Sequence, residues 1–391
     1  ELRCVHFGAC PGCIVEANLH DTPTINEAKM FLGALTKQAG REFEVNMGQI
    51  HRWRTLAKLA VSPTNNEMGF EIGLYKSGTH DVLAIPRCRV HHPSINEAVS
   101  ILQEEMLAVG IQAYDEKSSE GHLRYVQMMV ERHSNKVQMT MVWNAENFRD
   151  ASPQAQLLVK RLKLYDIFHS IWINYRTGTG NVIFNRDEKK WQLLIGPKYV
   201  AERIEAGLNL SFPIAPSMFR QGNLEQFTAI IQKVETFIEP GSKVCELYAG
   251  AGMVGLSAAL QNCEWLRCSD ENPANLDAFL ATKQSLPIDL KRKAYYTTSS
   301  AEEAIEDGQV DGADVLIVDP PRKGLELLAH WIQSKSPTEL KKVIYISCGF
   351  KALKEDLKVM LSGNKWKLTH AEGHVLFPGS DHIECLVVLE K

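Results

Sequence analysis

From residue 243 onward, short apolar runs alternate with stretches whose apolar residues recur at helical spacing. Strands are predicted at Lys243–Tyr248, Trp265–Ser269, Lys293–Thr297, Asp314–Val318 and Val343–Ile346. Between them the pattern predicts helices at Val254–Leu260, Pro273–Thr282 and Ala301–Ile305. A further helix starts near Phe350, where Leu353, Leu357 and Met360 share a face. Two last strands, about Trp366–Phe377 and His382–Leu389, read as an antiparallel hairpin. Strands alternating with helices demand a parallel sheet with right-handed crossovers, so this half is α/β with an antiparallel edge.

Ahead of it the pattern changes. A helical period spans about Ile25–Ala39, and the segment to about residue 215 is mostly β with interspersed helices. Gly69–Tyr75 pairs naturally with Asp81–Ile85, and Leu123–Val130 with Val137–Trp143, each across a polar turn. Helical spacing returns at Ile95–Val109 and Gln154–Leu164. The stretch from Ser211 to Asn223 marks the shift, and a helix at Leu224–Phe237 follows. The expected organisation is a cysteine-bearing segment (1–45 plus 80–95), a central β-rich domain (46–210), and the α/β domain (211–391).

Composition narrows the classes. With 45% hydrophobic and 23% charged residues, the 391-residue chain is an ordinary globular protein of two or three domains. A net charge of −4 and a pI of about 6.4 exclude a uniformly basic coat for nucleic acid, so any such binding must use a local basic surface. No apolar run approaches the roughly 20 residues needed to span a membrane, and no membrane partner is expected. Nine cysteines, several lying singly in apolar strands, suit a reducing intracellular compartment. The chain begins at Glu1 without a methionine, so the expectation is cytoplasm, or a plastid or mitochondrion after removal of a targeting peptide. A monomer is expected.

Three cysteines, Cys4, Cys10 and Cys13, are spaced C-x5-C-x2-C among Gly and Pro turn residues, and Cys88 follows about 75 residues on. Tight turns let several sulfurs converge on one centre. Four thiolates suit a 4Fe–4S cluster, with structural zinc the less favoured alternative because zinc sites more often use two C-x2-C pairs. His91 and His92 could substitute as ligands, but loop histidines before a proline are more often on the surface, which is the expectation here.

Chemistry also concentrates at the carboxyl ends of the α/β strands, where open sheets bind ligands. Gly250 and Gly252 follow the first strand and open a helix, allowing close backbone approach. Asp270, 18 residues past Gly252, ends the next strand, where an acid accepts hydrogen bonds from ribose hydroxyls. A third glycine at the dinucleotide spacing is lacking, since Gly255 comes one residue early, so S-adenosylmethionine fits better than NAD. Asp319, locked by Pro320 and Pro321, ends the fourth strand. Cys348 ends the fifth beside a helix N-terminus, which favours thiolate over thiol.

Taken together, Phe219-x-Gln221-x-Asn223, Glu246-x-Tyr248-x-Gly250-x-Gly252, Asp319-Pro-Pro-Arg322, Ser347-Cys348 and Pro378-x-Ser380-x-His382-x-Glu384 resemble the RNA uracil-5-methyltransferase family over nearly the whole chain. The resemblance implies a class I, Rossmann-like methyltransferase sheet with the C-terminal hairpin, preceded by the β-rich α+β central domain and a 4Fe–4S segment. It implies S-adenosylmethionine as methyl donor and an RNA substrate, ribosomal rather than transfer RNA because the transfer-RNA branch generally lacks the cysteines. It implies Cys348 as nucleophile, Glu384 as general base, and Gln221, Tyr248, Gly250, Gly252, Asp270 and Asp319 at the donor site.

Two positions depart from the family pattern: Gly349-Phe350 stands where Asn-Pro usually follows the cysteine, and Met253 where Asn usually follows the second glycine. The chain also starts at the cysteine segment, without the OB-like domain many members carry. The departures motivate an alternative, a catalytically silent relative acting as an RNA-binding or assembly factor.

Overall fold

The structure, a computed structural model, describes residues 1–151, 153–178, 180 and 182–391. The chain divides into two compact units, each assembled from non-contiguous segments.

The first unit comprises Glu1–Ala17, Gln49–Glu202 and Ile214–Asn223. Its seven-stranded sheet runs in the spatial order 82–84, 70–75, 56–63, 123–131, 136–143, 168–175, 191–195. Lys136–Trp143 and Phe168–Tyr175 pair in parallel, joined by the crossover helix Pro153–Leu162, and the other neighbours are antiparallel. Met128, Val130, Met139, Met141, Ile171 and Ile173 form the buried face under Pro93–Val109, whose Ile95, Ala98, Leu102 and Met106 recur at helical spacing. Pro93 at the first position and Gly110 at φ 75° delimit that helix.

The second unit comprises Asn18–Gly48, Arg203–Pro213 and Leu224–Lys391. In chain order its helix α1 (Pro23–Gln38) and strand β1 (Glu44–Met47) precede helix α2 (Leu224–Glu235). Strands β2 (Lys243–Leu247), β3 (Trp265–Asp270), β4 (Ala294–Thr298), β5 (Val315–Val318) and β6 (Lys342–Ser347) follow, interleaved with α3 (Pro273–Gln284), α4 (Ala301–Glu306) and α5 (Leu327–Ser334). Helix α6 (Phe350–Met360) and the hairpin β7 (Lys367–Val375) and β8 (Glu384–Glu390) complete it.

The sheet order is β1-β7-β8-β6-β5-β2-β3-β4, with β8 antiparallel to both neighbours and all other pairs parallel. Order reverses between β2 and β5, so the ligand crevice of such a sheet opens at their carboxyl ends. Near-continuous burial of β5 and β6 follows from helices covering both faces.

The expected strands thus appear within a residue or two, and the fold is the anticipated Rossmann-like α/β sheet with a terminal hairpin. The linear three-part division differs from the observed units. Helix α1 buries Ile25, Ala28 and Leu32 in the same core as Leu353 and Leu357 of α6, and β1 extends the sheet alongside β7. The segment expected as helix at Val254–Leu260 is a short π-wound stretch, Gly255–Ala259. Among the described residues no helix is long and apolar enough to cross a membrane.

Candidate functional site

Register alone aligns the candidate residues of the second unit along one sheet edge. Leu247 pairs with Ser269 and with Val318, so Tyr248, Asp270 and Asp319 stand level just past those pairs. Ser347 pairs with Cys385 across β6 and β8, so the next residues outward on each chain are Cys348 and Glu384. Val318 pairs with Tyr345, so Cys348 and Glu384 stand two residues further out than Asp319. Five of the expected side chains therefore gather at one sheet edge, at the switch point and on the strands beside it.

The turn after β2 is built for close approach. Tyr248 takes φ 59°, a left-handed conformation uncommon outside glycine, and Gly250 and Gly252 take 54° and 75°. A Cβ on Gly252 would lie 2.7 Å from the Phe279 ring, whereas one on Gly250 would meet nothing within 4 Å. Gly252 is thus required by packing, while Gly250 borders open space. Asp270 organises the turn: its Oδ2 accepts from Gly250 N at 3.0 Å, and its Oδ1 from Asn272 N and Asn275 Nδ2, both at 2.9 Å. Tyr296 donates to the Gly250 carbonyl at 2.7 Å. Two donors fill Oδ1, and Oδ2 keeps one lone-pair site for a ribose hydroxyl. The donor set fits an adenosine moiety.

Beneath the turn, Glu246 is buried and accepts from Gly255 N at 3.0 Å and from the Cys268 thiol at 3.2 Å. Burial pushes its carboxyl up to about 8, with Asp319 and Asp270 adding like charge. The half-buried Asp319 is likewise pushed up to about 7 by burial. Glu384 is only 4% exposed, its Oε1 has no hydrogen-bond partner, and burial with the Asp319 charge holds it well above the usual carboxylate range.

The thiol of Cys348 is pushed up to about 12, chiefly by burial, then by Glu384 and Asp319, with Arg322 opposing. This corrects the expectation of a favoured thiolate. A helix N-terminus contributes a fraction of a charge, and desolvation beside two carboxyls outweighs it. The resting group is a thiol whose activation needs a base or added positive charge.

Arg322 is exposed and is the cation that acts on Cys348, Glu384 and His382 together. The loop leading into Glu384 is fixed from α1, where Thr24 N donates to Asp381 at 2.8 Å. Neither that tether nor Asp356, which accepts from Tyr345 Oη at 2.6 Å and Leu325 N at 2.8 Å, had a sequence signal. Each depends on contact between segments far apart in the chain.

Gln221 belongs to the first unit, outside the one that carries the other candidates. Its neighbour Arg220 is fully buried and donates to Thr55 O at 3.1 Å, Val130 O at 2.9 Å and the Glu202 carboxylate. That cage fixes the segment on the β-rich unit.

Cys4, Cys10, Cys13 and Cys88, also in the first unit, line one cavity of about 260 Å³ with Arg54, Leu59, Leu74, Ile85 and His91. Burial and the neighbouring thiols push Cys13 up to about 11, while the Arg54 charge opposes. His91 is not a surface residue as expected: it is 5% exposed, and burial with the Arg54 charge lowers it to about 4. His92 instead caps the following helix by accepting from Ser94 N. Four thiols in one lining suit a cluster, yet among the described residues no three His, Cys, Asp or Glu side chains are drawn together tightly enough to hold a metal ion.

No family model matches the chain. A protein of Protochlamydia amoebophila named as an uncharacterized RNA methyltransferase is 36% identical over all of this chain and 98% of its own length. A second uncharacterized RNA methyltransferase, from Oceanobacillus iheyensis, is 26% identical over 88% of this chain and 72% of its length. Among solved structures, the tRNA (uracil-54, C5)-methyltransferase of Pyrococcus abyssi bound to S-adenosyl-L-homocysteine superposes with a TM-score of 0.72 at 22% identity, covering 93% of this chain and 83% of that one. That likeness is one of fold.

Proposed function

The chain belongs to the RNA methyltransferase family, and from that premise we propose that it methylates carbon 5 of a uridine in RNA with S-adenosylmethionine as donor. The observation that supports this reading is the register setting Cys348 next to Glu384, on the sheet edge that also carries the Asp270-organised turn. A methyltransferase acting on an exocyclic amine or a hydroxyl has no task for a thiol and a carboxyl at these positions.

Carbon 5 of uracil is too weak a nucleophile to be alkylated unaided. Once a base has taken its proton, Cys348 as thiolate adds to carbon 6, forming a C–S bond and pushing the ring π electrons into an enolate over carbon 5. S-adenosylmethionine, when bound, supplies an electrophilic methyl group carried on a sulfonium. Glu384 as carboxylate then takes the carbon 5 proton, and the released electron pair expels the cysteine sulfur from carbon 6. Asp270, Tyr248, Gly250 and Gly252 hold the donor, with Asp319 assigned to the same site. A base in structured RNA must be flipped out to reach the thiol.

The four-thiol cavity supports a 4Fe–4S cluster on Cys4, Cys10, Cys13 and Cys88, with zinc the second candidate. The resemblance of the same segment to the ribosomal-RNA branch favours ribosomal over transfer RNA. The test is adduct formation with 5-fluorouridine in ribosomal and transfer RNA, where the missing carbon 5 proton blocks elimination. Wild type should form a complex stable to denaturant and Cys348→Ala none. Failure of wild type on both RNAs, with donor bound, would overturn the proposal in favour of a silent relative.

A further inference from the structure

We propose that Asp356 is a positioning residue which, by clamping the loop from Asp319 to Glu326, keeps the Arg322 charge near Cys348; this rests on reading Cys348 as the nucleophile.

The loop leaves β5 with two prolines, which supply no N–H groups for anchoring. Its anchor comes from α6. Asp356 is 6% exposed, and its Oδ2 accepts from Leu325 N at 2.8 Å and from Tyr345 Oη at 2.6 Å. One carboxylate thus joins the strand that leads into Cys348, the helix that begins after it, and the loop that carries Arg322. Gly324, at φ 81°, lies so near that a Cβ there would stand 2.5 Å from Asp356 Oδ2. Glu326 is held at φ 51°, ψ −119°, a strained backbone state that persists only where its surroundings impose it.

The second jaw is Gly349, which the backbone of Arg322 approaches too closely for any side chain. Between these jaws Arg322 has little freedom at its backbone, although its side chain is exposed. The charged and titratable groups facing Cys348 are Glu384 from β8, Asp319 from the end of β5, Tyr345 from its own strand, and Arg322 from the loop. Arg322 is the cation in that set, so a loop shift removes the charge that opposes two acids. Asp356 touches neither substrate nor reacting atoms in this scheme and acts through Arg322.

The test is the rate at which iodoacetamide labels Cys348 at about pH 8, read on the Cys348 peptide by mass spectrometry, because labelling follows thiolate fraction. Wild type, Asp356→Asn, Arg322→Met and the double variant are compared. Each single variant should slow labelling about fivefold, and the double variant should match Arg322→Met alone. Gly349→Ala, which pushes the loop from the other jaw, should show the same dependence on Arg322 and serves if Asp356→Asn folds poorly. An unchanged rate in Asp356→Asn overturns the proposal, as does slowing that persists in full without Arg322. Because the readout needs no RNA or donor, a failed methylation assay leaves this result intact.

Discussion

A β-carbon on residue 349 would stand 2.4 Å from the carbonyl oxygen of Arg322 and 3.1 Å from its Cα. Both contacts are backbone, so no rotamer change relieves them. The conformation of Gly349, with φ −119°, is open to any residue; closeness alone demands glycine. This accounts for the first departure from the family pattern: the Arg322 loop occupies the space an asparagine side chain would need. Gly349→Ala is expected to displace that loop, destabilise the protein by about 1–3 kcal/mol, and lower methylation about tenfold or more. Steady-state rates with a melting curve on the same sample check it; unchanged kcat and KM would contradict it.

Phe350, the other residue of that departure, is a packing choice. Phe350 is 4% exposed, and its ring meets Phe31 of α1 edge-on, with centroids 6.4 Å apart and planes at 74°. Proline would suit the first turn of α6 but would delete that contact. Phe350→Pro is expected to cost about 3 kcal/mol while kcat per folded molecule is retained. Loss of activity without loss of stability would show that the ring serves the site rather than the core.

The α/β half was legible because its strands are short apolar runs closed by Asp, Gly or Pro, whose local signals agree with their tertiary roles. Site residues at strand ends were legible for the same reason, since register carries Asp270, Asp319, Cys348 and Glu384 to one edge. What escaped depends on contacts distant in sequence. Strand β1 is four residues with two polar ones, and only its pairing with β7, more than 300 residues on, makes it a strand. Asp356 sits in a lysine-rich helix and reads as a surface charge until the fold turns it inward. The protonation of Cys348 followed from burial and neighbouring acids, which no local motif reveals.

That protonation has a pH signature. With the thiol pushed up to about 12 by burial, Glu384 and Asp319, the thiolate is a minor species throughout the neutral range. Labelling of Cys348 in the free protein should therefore rise about tenfold per pH unit between about pH 6.5 and 9.5 without a plateau. A plateau below about pH 8 would mean that the free enzyme already holds a thiolate.

The four-cysteine cavity makes a separable prediction. Protein reconstituted anaerobically with iron and sulfide should be brown and carry about four irons per chain. Cys88→Ser should reduce the iron content, because Cys88 is the remote member of the set. Stoichiometric zinc without iron in native protein would reject the cluster.

On β7, Glu372 joins two histidines from within the sheet: its Oε1 meets His374 Nε2 at 2.9 Å and its Oε2 meets His370 Nε2 at 3.0 Å. Gln226 of α2 reaches the other nitrogen of His374 at 3.1 Å, and Lys233 stands 3.7 Å from Glu372. Burial alone would raise the Glu372 carboxyl, but the hydrogen bonds from both histidines outweigh it and hold the group down at about 2. A depressed carboxylate stabilises the folded state above the unfolded value of about 4.3. That contribution is lost as pH falls through about 4 to 2. Glu372→Gln is therefore expected to cost about 2 kcal/mol at neutral pH and to flatten the acid limb of the stability curve, converging with wild type near pH 2. Urea melts across pH measure both. A constant difference at every pH would assign the loss to packing rather than to the charge.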